Sequence, residues 1–447
     1  MLGIQNGAVL QRGDDNTCNI FLSENVNEAF FESNGRKTSA GLEKTDVGTR
    51  LYGIPTGGPY TVTLDGQSFS DVYVGDLWIL AGQSNMEGNG FYRSADETAS
   101  HGDDIRALYP SRKWETAHHP LHTIWASPDR VHRALPGLSE EVITFKGVGP
   151  GMAFAKRLRE IFSVPQGLIC CAHGGTKISQ WDPDLFCEGE DSLFWSMCES
   201  IKTAGGNVRG LFWSQGCSEG MCGDENSAVT SVASYTEDTL KFFRVLREYL
   251  GKGIPIVMTQ IARLYGFDSE GLFVSFSSIK EQQRVFAEKL SNALVVPTIN
   301  CSLDDIVHLD SDSQDRIGAE SADAMAALLG KNTMPPIRLS HAKLETEKGL
   351  GHTRLSIYFE NVSGSLDAKP RPEGFSVSNE RWGRDGFSLF DSKIEQNRVV
   401  LRISEDLDSV KEKFVCYGMG LRPCCNVCDS KGRSIPAFSV RISDILK

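Results

Sequence analysis

The 447-residue chain has no apolar run near the roughly 20 residues that a membrane span needs. It has no internal repeat and no low-complexity stretch. It is short of positive charge. Its 46 Lys and Arg stand against 58 Asp and Glu, a net charge of −12, and no basic patch offsets this. That balance argues against nucleic acid as a partner. The opening residues, MLGIQNGAVLQRGDDN, lack a basic segment followed by an apolar one, so they do not read as a signal peptide. The 12 cysteines are scattered, and a chain of this length does not need disulfide staples. Thiols in a reducing, cytoplasmic setting are therefore expected, with export open for a chain whose leader has been removed. Cys425 and Cys428 form a C-x-x-C, but a structural zinc site normally needs a second pair and only Cys416 is near, so no metal is expected.

What is present is ordinary globular composition: 40% hydrophobic, 23% charged and 9% aromatic residues. This excludes disordered and fibrous classes. At about 150 residues per domain the length suggests two to four domains. Residues 1–70 read as a β-rich part, with short strands at Val9-Leu10, Thr17 to Leu22 and Tyr60 to Leu64 and a turn cluster at Pro55-Thr56-Gly57-Gly58-Pro59. Residues 340–447 read as a second β-rich part, with strands at Leu355 to Phe359, Phe387 to Leu389, Arg398 to Ile403 and Phe438 to Ile442. Pro335-Pro336 marks the linker before it.

Between them, residues 71–335 read as α/β. Apolar runs at Leu77 to Ala81, Gly167 to Ala172, Val208 to Trp213, Ile254 to Ile261 and Ala293 to Pro297 alternate with helical patterns. Continuous apolar runs suit parallel strands buried on both faces. Met152, Phe154, Ala155, Leu158, Ile161 and Phe162 form one helical stripe. Leu240, Phe243, Leu246 and Leu250 form another, with Gly251 placed to end it.

Ligands of open α/β sheets bind outside the carboxyl ends of the strands. Here those ends present Gly82-Gln83-Ser84-Asn85-Met86, His173-Gly174-Gly175-Thr176, Ser214-Gln215-Gly216, Ala262-Arg263 and Asp304-Asp305-Ile306-Val307-His308. Ser84 at a sharp strand exit is either an exposed nucleophile or a helix N-cap. Asp305 and His308, three apart, share one face if they lie on one turn of backbone, where the carboxylate can orient the imidazole. Asp304 is the neighbouring alternative, and a helix from Ser313 to Leu329, stopped by Gly330, is expected next. Gly174 or Gly175 can bring a backbone N–H to a developing oxyanion, and Gln215 can add a side-chain N–H. Gly147-Val148-Gly149-Pro150-Gly151 lacks a Walker lysine and reads as a loop that starts a helix.

In this order the strand ends resemble the SGNH-type hydrolases, in their sialate O-acetylesterase and acetylxylan-esterase branch. GQSNM at 82–86 matches that branch's nucleophile motif without a substitution. VGPGMAFAK at 148–156, GGTKISQW at 174–181, LFWSQG at 211–216 and DDIVH at 304–308 are similar to its further blocks. The flanks, VLQR at 9–12, GGPYTVTL at 57–64 and VCYGMGLRPCCNVCDSKGRSIPAF at 415–438, are similar to the β-domains of sialate O-acetylesterases. The resemblance implies a flavodoxin-like three-layer α/β domain with a parallel sheet, no metal and no cofactor. It implies Ser84 as nucleophile, His308 as general base and acid, and Asp305 as its orienting partner. The Ser84 amide, a Gly174 or Gly175 amide and the Gln215 side chain would form the oxyanion hole. The chain departs from the family at Cys217, where glutamate is usual and Glu219 follows two residues later. It departs again at His173, where the sialate branch has tryptophan.

The expectation is thus a serine esterase that removes O-acetyl groups from a carbohydrate, sialate O-acetylesterase-like, with an acetylxylan or other polysaccharide esterase as the alternative. A catalytically inactive carbohydrate-binding protein is the rival from another class. Asn85, Trp181 and Arg263 are the candidate substrate-binding residues. Trp114 is a further stacking candidate, and Trp213 is expected in the core. Oligomeric state is not readable.

Overall fold

The computed structural model describes residues 4–99, 102, 104–137, 139–222, 225–347, 352–383 and 388–447. The chain divides into two compact units. One is Met1–Gln215, Asp238–Val257 and His308–Leu329, and the other is Gly216–Glu237, Met258–Val307 and Gly330–Lys447.

All five apolar runs form strands: Gln67–Gly82, Gln166–Cys170, Gly210–Ser214, Ile256–Thr259 and Ala293–Val296. In the first unit the sheet runs in the order Trp114–Thr116, Ile105–Leu108, Gln166–Cys170, Gln67–Gly82, Gly210–Ser214, Ile256–Thr259. Ile105–Leu108, Gln166–Cys170, Gln67–Gly82 and Gly210–Ser214 are mutually parallel, and Trp114–Thr116 closes the edge antiparallel. Leu77, Trp78, Ile79, Leu80 and Ala81 are wholly buried. Burial of each large side chain among them contributes about 1.5–3 kcal/mol. Helix Gly151–Phe162 buries Met152, Phe154, Ala155 and Leu158. Phe154 meets Trp78 edge-on at 5.7 Å and stacks on Phe212 at 4.9 Å.

Gln67–Gly82 is flanked on both sides by strands that come later in the chain. The connections therefore leave in opposite directions, which makes its carboxyl end a topological switch point. The same 16-residue strand also serves the N-terminal part. Its early residues pair antiparallel with Gly57–Leu64, Tyr73 to Gly75 pair parallel with Val9–Gln11, and Asp76 to Leu80 pair with Gln166–Cys170. The expected turn cluster at Pro55 to Pro59 is corrected. Strands Gly48–Pro55 and Gly57–Leu64 leave only Thr56 between them. Gly57 and Gly58 extend at φ +130° and +127°, which glycine tolerates.

The second unit holds the strand Ala293–Val296. Residues 331–337, which include Pro335-Pro336, carry neither helix nor strand. Beyond them Arg338–Thr346, Thr353–Glu360, Arg398–Ile403 and Leu389–Glu395 form an antiparallel sheet in that order. Phe375–Ser378, Phe414–Tyr417 and Phe438–Arg441 form another. Leu355, Ile357, Val399, Leu401, Tyr417 and Phe438 fill their core. Of the expected strands, Phe387 lies outside the described residues. No described helix is long and apolar enough to cross a membrane. The cysteines are free thiols. Among the described residues no three His, Cys, Asp or Glu side chains are grouped to hold a metal ion.

Candidate active site

Gly82 ends its strand at φ +129°, and a Cβ there would lie 2.1 Å from the Ser214 carbonyl oxygen, so only glycine fits. The Gln83 N–H donates to that same carbonyl at 2.8 Å. The chain then turns at once into the single helical turn Ser84–Glu87, whose N-cap is Gln83. Ser84 is therefore inside the turn, and the N-cap reading does not describe it. Its carbonyl accepts from the Gly88 N–H at 2.9 Å and from Asn89 Nδ2 at 2.9 Å. The turn is thus bonded at both ends.

The second strand end runs alongside. The His173 N–H donates to the Gly82 carbonyl at 3.0 Å. A Cβ on Gly174 would lie 2.4 Å from Glu87 Oε2 and 3.5 Å from the Ser84 Cβ, so bare backbone is required where the loop meets the nucleophile turn. Gly175 takes φ +70°. Gln215, nearly fully buried, donates from Nε2 to the Thr176 carbonyl at 3.1 Å. That bond orients the carboxamide.

The fifth strand end differs from expectation in its backbone. Residues 304–307 are bends, so Asp305 and His308 are not related by a helical turn. Asp305 Oδ1 accepts from the Val307 N–H at 2.9 Å, an Asx turn that reverses the chain instead. Asp305 is exposed and His308 half-buried. The Leu309 N–H donates to Asn85 Oδ1 at 3.0 Å, and Gln314 Nε2 reaches the same oxygen at 3.4 Å. The residue after Ser84 therefore holds the residue after His308. Asn85, expected to bind substrate, has its carbonyl oxygen engaged in that structural task. Helix Ser311–Leu328 follows, starting two residues earlier than expected because the Asp310 side chain caps it on the Ser313 N–H at 2.8 Å.

Sequence reasoning missed the support beneath these turns. Glu87 is 2% exposed and lies under Gly174. His122, fully buried, meets the Glu87 carbonyl through Nδ1 at 3.2 Å, and burial pushes its pKa down to about 4. His173 stacks on His132 with the two Nδ1 atoms 2.8 Å apart. His132 Nε2 meets Ser196 Oγ at 3.1 Å, Ser196 donates to Asp129 at 2.6 Å, and Asp129 pairs with Arg112 at 2.7 Å. Ser196 has one hydrogen and gives it to Asp129, so it accepts from His132 Nε2–H, and His173 Nε2 meets the Pro136 carbonyl at 3.1 Å. Burial lowers the pKa of both imidazoles. The departure at His173 is thus the head of a buried polar chain that ends beside the Gly174 loop.

One expected binding residue is corrected. Trp181 has no exposed surface. It packs edge-on against Trp213 at 5.3 Å and Phe242 at 6.1 Å and donates Nε1–H to Thr176 Oγ1 at 3.0 Å, so no sugar can stack on it. Trp114 is likewise buried, and Trp213 is core. Arg263 is half-buried, donates to the Cys301 carbonyl, and lies 5.9 Å from the Tyr265 ring, which makes it a local anchor.

The site thus brings together a serine in a sharp turn at a switch point, a histidine segment bonded to that turn, and glycine backbone facing it. Residues 74–327 match the family described as carbohydrate esterase, sialic acid-specific acetylesterase. That is more than half of the chain, which belongs to this family. The "Probable carbohydrate esterase At4g34215" of Arabidopsis thaliana is 28% identical over 270 residues, 56% of this chain and 89% of that protein. The solved structure of XAC1771, a carbohydrate acetylesterase from Xanthomonas citri, superposes with a TM-score of 0.69 at 21% identity, covering 98% of this chain and 99% of that one. That likeness shows a shared fold.

Proposed function

We propose that this carbohydrate esterase removes O-acetyl groups through an acetyl-serine intermediate, with O-acetylated sialic acid as the leading substrate. Ser84 Oγ attacks the acetyl carbonyl carbon while His308 takes its proton, and Asp305 orients the imidazole. The oxyanion is held by the Ser84 amide, a Gly174 or Gly175 amide and Gln215 Nε2. The C–O bond to the sugar breaks and the sugar oxygen leaves with the proton from His308. Water, activated by His308, then attacks the acetyl-serine carbonyl and releases acetate. The observation that carries this reading is the 3.0 Å bond from the Leu309 N–H to Asn85, which ties the histidine segment to the serine turn. A flavodoxin-like three-layer core and a division into residues 1–70, 71–335 and 340–447 belong to the same reading.

A neutral acetylated polysaccharide such as xylan is the second substrate class, and it needs no basic partner, whereas a sialic acid carboxylate does. The test is acetate release from 9-O-acetylated sialic acid, acetylated xylo-oligosaccharide and an aryl acetate, with Ser84→Ala as control. Release from one sugar that vanishes in Ser84→Ala is expected. Full release by Ser84→Ala removes Ser84 from the mechanism.

A further inference from the structure

Phe91 and Phe145 are large aromatic side chains that the fold leaves 40% and 52% exposed. Their rings meet edge-to-face, with centroids 5.8 Å apart. Phe91 ends the strand Gly90–Phe91, which pairs antiparallel with Lys146–Val148, and Phe145 stands just before that second strand, where its carbonyl accepts from the Tyr92 N–H at 3.0 Å.

This strand pair is fastened to both catalytic segments. On the serine side, Asn89 donates through Nδ2 to the Ser84 carbonyl at 2.9 Å and accepts from Lys146 Nζ at 2.8 Å. Its two strands approach so closely that a Cβ on Gly88 would lie 2.6 Å from the Gly147 carbonyl oxygen. On the histidine side, the Ser311 hydroxyl, three residues after His308, donates to the Phe91 carbonyl. An exposed aromatic pair is thus held in fixed register to the turn that carries Ser84 and to the segment that carries His308.

Trp181 and Trp114, the tryptophans expected to offer a stacking face, are buried. A pyranose ring presents a face of C–H groups, which packs on the negative face of an aromatic ring. We propose that Phe91 and Phe145 form the platform on which the sugar ring of the acetylated substrate rests, with its ester directed to Ser84. The proposal rests on the esterase reading and assigns the residues that hold the sugar.

Two measurements test it on the whole chain. The first is kcat/KM on acetylated xylo-oligosaccharide and on 9-O-acetylated sialic acid, each divided by that on triacetin, which carries acetyl esters and no ring. In Phe145→Ala and Phe91→Ala this ratio falls about tenfold for the preferred sugar, mainly through KM, and Phe145→Trp restores it. An unchanged ratio overturns the platform, as does a loss that Phe145→Trp cannot restore. The second is saturation-transfer NMR with the deacetylated sugars and Ser84→Ala protein, with and without Phe145→Ala. Sugar contact that disappears with Phe145→Ala supports the platform even if no acetate is released from any ester, an outcome that would sink the esterase reading alone. Absence of contact in both proteins, or contact unaffected by Phe145→Ala, overturns the platform while leaving the esterase reading intact.

Discussion

The serine turn and the histidine segment are held in opposite ways. Around Ser84, backbone groups of Gly82, Gln83, Ser84, His173 and Ser214 bond to one another, and glycines allow the close approach. The fold itself therefore fixes Ser84. His308 lies after a run of bends, and the N–H of the residue beside it donates to a side chain, Asn85. The lesson is an asymmetry: side-chain changes should disturb His308 more readily than Ser84.

The largest effects test the two ends directly. His308→Ala should cost as much as Ser84→Ala, of the order of 10^6-fold in kcat, while Asp305→Ala should cost of the order of 10^4-fold. Single-turnover acetate release measures both, and an Asp305 loss equal to that of His308 would erase the distinction. Next, Gln215→Ala should lower kcat about 100- to 1,000-fold with little change in KM. A pure KM effect would place Gln215 in binding instead.

Asn85→Ala sharpens the comparison most. It leaves the Leu309 N–H without its acceptor, which should lower kcat roughly tenfold, whereas Asn85→Asp keeps an acceptor oxygen and should recover most of the loss. Equal losses in both variants would show that the bond does not steady the base.

The smallest effect concerns stability beneath the serine turn. Burial holds the pKa of His122 down to about 4, below its unfolded value of about 6.5. Its contribution is therefore fully present above pH 6.5 and is lost as pH falls toward 4, by up to about 1.4 kcal/mol per pH unit. His132 and His173, also pushed down by burial, act in the same direction. Urea unfolding at pH 7.5 and 5.5 should show this slope, and His122→Asn should flatten it.

Much of this was legible because buried strands leave an unbroken apolar signal, and an α/β sheet places its chemistry just after each one. Strand Ile105–Leu108 escaped because it is four residues long with Arg106 inside it. The Asp305 turn was misassigned because a three-residue spacing suits both a helical turn and an Asx turn. The His132–His173 pair joins residues 41 apart, which no local pattern reveals. Phe91 and Phe145 look like core in sequence, and only the folded chain shows that they stay outside.

The strand Gln67–Gly82 carries a consequence for how this enzyme can be cut and recombined. Its early residues complete the N-terminal sheet, and two residues past its end the chain reaches Ser84. A crossover near residue 70, where the composition changes, would split one ribbon between two parents. Chimeras joined there should fail to accumulate, whereas junctions placed at residues 331–337 fall outside any helix or strand. The N-terminal strands and Ser84 are therefore expected to be inherited together.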